Sequence, residues 1–489
     1  MLSSPESLEL NKSYKFDKGG NAVMTITDYL DSLKRDYPEE VVSIDDEVNP
    51  ASFEVTAILR HLELVGKYPL VYFTRPLSLK GEVSKFPLVT NVFASRNRCA
   101  LALGLRPEQS KLPLALEYGQ REACPLPTKI IAKSEALVKE VVKATDELDL
   151  REFPILRHHE MDLGPYIDMT PIMWDPQSGA YNAAFLRTMY KAPRQLALYM
   201  SPRHNWEIVR RNEELGRPTP VVVVVSHHPA FFLGTLNNVA FGVNDYEIIG
   251  AVMGESLRLT DSETWGVDFL VPADADVLIE GEVVPGHREI EAPFGEWTGY
   301  YGPQRLSWVI EVKAITHRRH AVFQNVFVGH TDNRILGTIP KEGSIYNRIK
   351  GFIPNVKGVH LPLSGAGRLS CYISIDKKAS GESRQAAIIA LSTNHFIKNV
   401  VVVDGDIDPY NEEEVLWALA TRMQADKDVD LLREVPSSNL DPSITGEAIS
   451  TKVIIDATKP VNRPFAWKLE VPPEAMARVK PLLKKNALL

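Results

Sequence analysis

The chain has 489 residues, 44% of them hydrophobic and 24% charged, and carries a net charge of −8 at neutral pH. At ~150 residues per domain that length suggests roughly three domains with ample material for buried cores. The acidic balance excludes a general binder of nucleic acid or anionic membrane, because such binders need a basic surface.

Cys99, Cys124 and Cys371 are far apart and form no C-x-x-C, so neither a zinc knuckle nor a disulfide framework is indicated and a cytoplasmic location is expected. No run approaches the ~18 apolar residues of a membrane helix; the plainest candidate is Val221 to Val225. Residues 1–23 are polar, lack the apolar stretch of a signal peptide, and read as a loosely ordered extension.

From Thr27, ITDYLDSLKRDYPEE predicts a helix capped by Thr27 or Asp28 and stopped before Pro38. VVSIDDEV alternates like a strand, SFEVTAILRHLELVGKYP is helical, and LVYFT and FPLVTNVFA are β-like, giving an N-terminal α/β domain over 24–125. Cys124-Pro-Leu-Pro-Thr128 reads as a linker, since its prolines favour extended backbone.

Over 126–334 the strand-like runs PYIDMTPIMW, LALYM, PVVVVVSHHP, IIGAVMG, DVLIEGEVV, LSWVIEVKAITHR and AVFQNVFVG predict a β-barrel or sandwich. From 335 to 489 the style changes again. TIPKEGSIYNRIKGFIPN and GESRQAAIIALSTN look helical, RLSCYISID and IKNVVVVD read as strands, and a further helix is expected with Asp408 as cap and Pro409 at its first position. The whole is a multidomain α+β or α/β chain.

Most candidate motifs have bland readings. Asp404-Gly-Asp-Ile-Asp408 fails as a calcium loop because its sixth and twelfth positions are Pro409 and Val415. Gly365-Ala-Gly-Arg-Leu-Ser370 precedes a strand and lacks the third glycine of a dinucleotide turn. His227-His228 and His158-His159 read as loop or surface histidines, since adjacent residues on a strand face opposite sides and cannot clamp one metal. His204 stands apart, with a basic neighbour at a strand-to-helix turn.

The segment Glu291-Ala-Pro-Phe-Gly-Glu-Trp-Thr-Gly-Tyr-Tyr-Gly302 is different. Pro293 and Gly295 forbid a regular helix, so Glu291 and Glu296 can converge from a tight loop. Two carboxylates held together suit acid–base chemistry, as in a glycosidase pair, while a solvated turn carrying two acids remains the plain alternative.

With its surroundings, the segment resembles the signature of the UbiD-like decarboxylases, which add or remove carboxyl groups on unsaturated and aromatic acids with prenylated FMN. The family pattern Glu-x-Pro-(aromatic)-Gly-(Glu or Asp), followed by an aromatic Gly-rich run, is matched by Glu291 to Gly302. Upstream, Asn182 and Arg187 meet the family's Asn and Arg five residues apart, Pro202-Arg-His204 matches a Pro-x-His turn, and VVVVDGDIDPYNEEEVLWALATR resembles the terminal domain.

The resemblance implies an N-terminal α/β domain, a central split β-barrel of flavin-reductase type, and a C-terminal α/β domain used in forming a homodimer or homohexamer. It implies reversible, non-oxidative decarboxylation, with a small carboxylic acid and CO2 as reactants and a separate flavin prenyltransferase supplying the cofactor. By the same matching Glu296 is the proton donor, while Arg187 grips the departing carboxylate and orders Glu291 and Glu296. Phe185, Leu186, Arg203 and Ser256 are expected near the flavin.

The family holds the cofactor phosphate through a divalent ion, often Mn2+ with K+ nearby, bound by an Asn, a His and a Glu. Asn182 and His204 match, but Arg258 stands where the Glu is expected. Either Glu255 supplies the third ligand or Arg258 grips the phosphate itself. Arg305, His330 and Arg334 follow the signature; one of them entering the pocket would suit a dicarboxylate, in the manner of the furan-2,5-dicarboxylate decarboxylases. The rival reading is a flavin-binding module or reductase subunit without decarboxylase activity.

Overall fold

The computed structural model describes residues 24–486, so the expected extension over 1–23 lies outside the described residues. The first helix, Ile26–Asp36, is capped one turn earlier than expected. Thr25 accepts from the Asp28 N–H and the Asp28 side chain returns a bond to Thr25, a reciprocal pair that Thr27 could not form. Strands Val41–Val48 and Leu70–Pro76 pair in parallel, and the sheet continues through Leu88–Thr90 to Phe323–Gln324. The run AVFQNVFVG therefore contributes only two residues of strand, to the N-terminal sheet and not to the barrel.

The centre is a closed, six-stranded antiparallel barrel. Its strands are β1 (Tyr166–Asp175), β2 (Leu186–Ala192), β3 (Gln195–Leu198), β4 (Thr219–Ser226), β5 (Val277–Glu291) and β6 (Arg305–His317). They pair in the ring order β4-β5-β6-β3-β2-β1, and β1 returns to β4 with Val221 opposite Met173. Closure leaves no edge among the six. Val221 to Val225 are all fully buried, as expected for a strand covered on both faces.

IIGAVMG, predicted as strand, lies instead in the helix Asp245–Met253. Asn244 caps it, Gly254 ends it in the left-handed region at φ 84°, and all but one of its residues are buried. A helix apolar nearly all round shows no 3.6-residue stripe, so its sequence cannot be told from a buried strand by pattern. His227, His228 and His158 are also buried, contrary to the surface reading. His227 Nδ1 accepts the His228 N–H, His228 Nδ1 accepts the Ala230 N–H, and His158 Nε2 lies 2.8 Å from Asp168.

The helix Thr331–Lys350 leaves the barrel and carries Pro340 within it. Beyond it a five-stranded mixed sheet runs in the order Val356–His360, Ser370–Ile375, Asn399–Asp404, Ile449–Ala457, Val429–Pro436, with the helix Glu382–Thr393 packed on it. The next helix, Glu412–Arg422, is capped by Asn411. Asp408 instead accepts the Tyr410 N–H in a turn, leaving Pro409 ahead of the helix. Among the described residues no helix is long and apolar enough to cross a membrane.

Candidate active site

Barrel geometry places the two halves of the signature around one guanidinium. Arg187, on β2 opposite Asp168 of β1, turns inward and is 7% exposed. Strand β5 ends at Glu291, after which Ala292 takes a left-handed φ of 65° and the Ala292–Pro293 peptide is cis. Phe294–Gly295 then pairs with Tyr301–Gly302, closing the loop that carries Glu296.

Arg187 donates from Nε to Glu291 Oε1 at 2.7 Å and from Nη2 to Oε2 at 3.1 Å, a two-pronged pairing. Its Nη1 donates to Glu296 Oε1 in a short contact. Glu291 is 0% exposed and Glu296 6%. The Tyr166 hydroxyl adds a bond to Glu291 at 3.2 Å, and the guanidinium lies over the rings of Tyr199 at 4.4 Å and Phe294 at 5.2 Å. One cation thus holds two carboxylates in a nearly dry site.

The loop is held from behind by close backbone approach. A Cβ on Gly302 would stand 2.9 Å from Glu296 Oε1, and one on Gly295 would fall 2.3 Å from the His159 ring. Asp162 accepts the Gly295 N–H at 3.0 Å and the N–H groups of His158 and His159 at 3.1 and 2.8 Å. Nothing at the level of pattern singled out Asp162 or Tyr166.

A cavity of about 370 Å3 opens beside Glu296 and Arg187. Asn182, Phe185, Leu186, Arg203 and His204, all singled out in the sequence, line it. His204, the first residue of the helix His204–Glu214, places Nδ1 3.0 Å from Asn182 Oδ1. Burial first, and then Arg203, lowers the His204 pKa and keeps the ring neutral, the form that ligates metal.

Ser256, Glu255 and Arg258 do not line this cavity. Arg258 donates to the Glu135 carbonyl at 3.1 Å and lies 3.6 Å from Asp274, on a separate small sheet. Besides Asp168 and Glu296, the acid that lines the cavity with Asn182 and His204 is Asp245, at the head of the helix expected to be a strand. It accepts from the Ala183 N–H at 2.7 Å and from Asn237 at 3.0 Å, and burial pushes its pKa up to about 7. Among the described residues no three His, Cys, Asp or Glu gather as a metal site. The donors that fit a hard divalent ion are therefore mixed: an amide oxygen, a neutral imidazole, and a buried carboxylate with no cation paired to it among the described residues.

Arg305, His330 and Arg334 also stay out of the cavity. Arg305 lies over the Tyr199 ring at 4.3 Å, His330 is bound to Glu63 at 2.7 Å, and Arg334 donates to the Trp297 carbonyl at 3.2 Å.

Comparison with known proteins gives the family. Family models for 3-octaprenyl-4-hydroxybenzoate carboxy-lyase match most of the chain: the N-terminal domain at 34–112, the Rift-related domain at 129–331 and the C-terminal domain at 334–457. The chain belongs to the UbiD family. Among UbiD relatives, it is 31% identical to the anhydromevalonate phosphate decarboxylase of Methanothermobacter thermautotrophicus over 86% of this chain and 95% of that one. It is 29% identical to the phenolic acid decarboxylase of Sedimentibacter hydroxybenzoicus, over 94% and 98%. The UbiD-class enzyme HmfF from Pelotomaculum thermopropionicum, solved in complex with FMN, superposes with a TM-score of 0.84 at 32% identity, covering 93% of this chain and 99% of that one. An evolved dimeric form of HmfF was solved with prFMN, at a TM-score of 0.82, 31% identity and coverage of 93% and 98%. The protein is a carboxy-lyase of UbiD type.

Proposed function

We propose that the protein catalyses the reversible, non-oxidative decarboxylation of an aromatic, heteroaromatic or α,β-unsaturated carboxylic acid with prenylated FMN, and that Glu296 is its proton donor. The observation that carries this reading is the single Arg187 guanidinium bridging Glu291 and Glu296 at the edge of the cavity. The FMN and prFMN complexes of HmfF support the cofactor.

When bound, prenylated FMN supplies an electron sink for the pair left as the carbon–carbon bond breaks, chemistry no side chain offers. The chain supplies position and protons. Asn182, His204 and Asp245 would hold the divalent ion, Mn2+ with K+ nearby, beside the cofactor phosphate, in place of Glu255 or Arg258.

Glu291 occupies two prongs of Arg187, and the third reaches Glu296. The proton-donating state carries its proton on Glu296 Oε, so that Arg187 and Glu291 cancel and a substrate carboxylate enters an uncharged neighbourhood. In the carboxylation direction the same oxygen takes the proton back. Tyr199 and Phe294 cover the guanidinium and keep water from it. A homodimer or homohexamer belongs to the same reading.

The test is production beside a flavin prenyltransferase, followed by CO2 release and solvent-deuterium exchange on furan, benzoic and acrylic acids, with metal analysis of the holoprotein. CO2 release lost in Glu296→Gln, with flavin retained, is the expected result. Bound flavin with neither CO2 release nor exchange in the unaltered protein would leave only a flavin-binding module.

A further inference from the structure

Three cations of the cavity, Arg203, Lys341 and Arg368, have no acid partner in ion-pair contact among the described residues. Arg203, at the mouth, reaches His395 at 2.8 Å and lies over the Phe396 ring at 5.3 Å. Lys341 donates to the Gly337 carbonyl at 2.9 Å. Arg368 lies over the Trp297 indole at 4.8 Å and over Phe396 at 5.9 Å, and its Nε is buried with no hydrogen-bond partner among the described residues. The space it fills exists because Gly337 has no side chain: a Cβ there would stand 2.4 Å from Arg368 Nη2.

Such a cluster is costly by itself. Burial, followed by mutual repulsion, pushes the Lys341 pKa well down and that of Arg368 to about 10. Glu122 acts on Lys341 in the opposite sense, but its carboxylate is already engaged by the Asn238 N–H and the Ser344 hydroxyl. Uncompensated cations facing one cavity are relieved by an oxyanion, which planar guanidinium forks and an ammonium bind with charge-assisted hydrogen bonds.

The place of the cluster says which oxyanion. Arg368 stacks on Trp297, the residue after Glu296, and Lys341 rises from the helix Thr331–Lys350, whose Arg334 donates to the Trp297 carbonyl. Arg203, although next to His204 in sequence, turns the other way, to His395 and Phe396. The cluster is thus built onto the loop that protonates the product, not onto the strand that carries Asn182.

We propose that Arg203, Lys341 and Arg368 bind a second anionic group of the substrate, at the end away from the carboxylate that is lost. The substrate is then a dianion, either a dicarboxylate or a phosphorylated unsaturated acid, and these three residues take the part that Arg305, His330 and Arg334 do not fill. The proposal rests on the decarboxylase reading above.

The test is isothermal titration of the holoprotein in a Glu296→Gln background, where turnover is slowed, with two probe pairs: furan-2,5-dicarboxylate against furan-2-carboxylate, and anhydromevalonate phosphate against anhydromevalonate. At least one anion-bearing member should bind about tenfold or more tighter than its partner, and the pair that does so tells carboxylate from phosphate. Adding Arg368→Gln should bring that ratio close to one while flavin absorbance per chain stays unchanged; Lys341→Met makes the same comparison should Arg368→Gln not fold. A ratio near one for both pairs overturns the proposal. So does loss of flavin in the variants with the ratio intact, which would give the cluster to the cofactor phosphate. Selective dianion binding without CO2 from any acid in the Glu296-containing protein would instead sink the decarboxylase reading alone.

Discussion

The two charged regions of the cavity are built on opposite principles. Around Arg187 one cation is shared by two carboxylates, with each of its three nitrogens bonded; around Arg368 three cations have no carboxylate in ion-pair contact among the described residues. A saturated buried network fixes its members and suits a step in which a proton leaves from one positioned atom, the role proposed above for Glu296. An unsaturated one stores unfavourable charge that only a ligand removes, which suits binding and selection.

Breaking the saturated region should have the largest effect. Glu296→Gln is expected to lower CO2 release by about 10²- to 10⁴-fold, the range for removing a general acid, with the circular dichroism spectrum unchanged. Arg187→Met leaves Glu291 and Glu296 buried without their cation, and chemical denaturation should show a loss of about 3–5 kcal/mol, as for breaking a buried ion pair from one side. An unchanged denaturation midpoint would mean that the triad is not a buried network.

Gly302→Ala tests how finely the donor is set, because the added methyl falls 2.9 Å from Glu296 Oε1. The expected result is a drop in kcat of roughly tenfold with flavin occupancy retained, in line with the cost of misplacing a catalytic group. The smallest effect concerns a buried group away from both regions. Burial depresses the His227 pKa to about 3, below the ordinary value of 6.5, so the unfolded chain binds the proton first and stability falls as pH drops below that ordinary value. His227→Phe should remove about 1 kcal/mol of the stability lost between pH 7.5 and 6, measured by denaturant titration at each pH.

Legibility in the sequence followed the reach of each signal. The Glu291–Gly302 loop was readable because its constraints are local: a proline, close glycines and two acids within twelve residues. The spacing from Asn182 to Arg187 was readable for the same reason, and those residues do line one cavity. Asp245 was not legible because its helix is buried nearly all round and shows no periodic stripe, which left Glu255 as the acid nearest the expected position. The buried histidines were misjudged because partners such as Asp168 for His158 are brought near by the barrel, not by the adjacent text.

By itself, the sequence determined the alternation of strand-rich and helical stretches, the stiff turn between Glu291 and Glu296, and a UbiD signature in order along the chain, all of which depend on neighbours within a few residues. The tertiary structure decided which charges meet. Barrel closure sets Arg187 between two glutamates more than a hundred residues on, and the C-terminal half brings Arg368 onto Trp297 while Arg258 is drawn off to Asp274. Electrostatic energy depends on distance and burial, and neither is written in the spacing of residues along a chain.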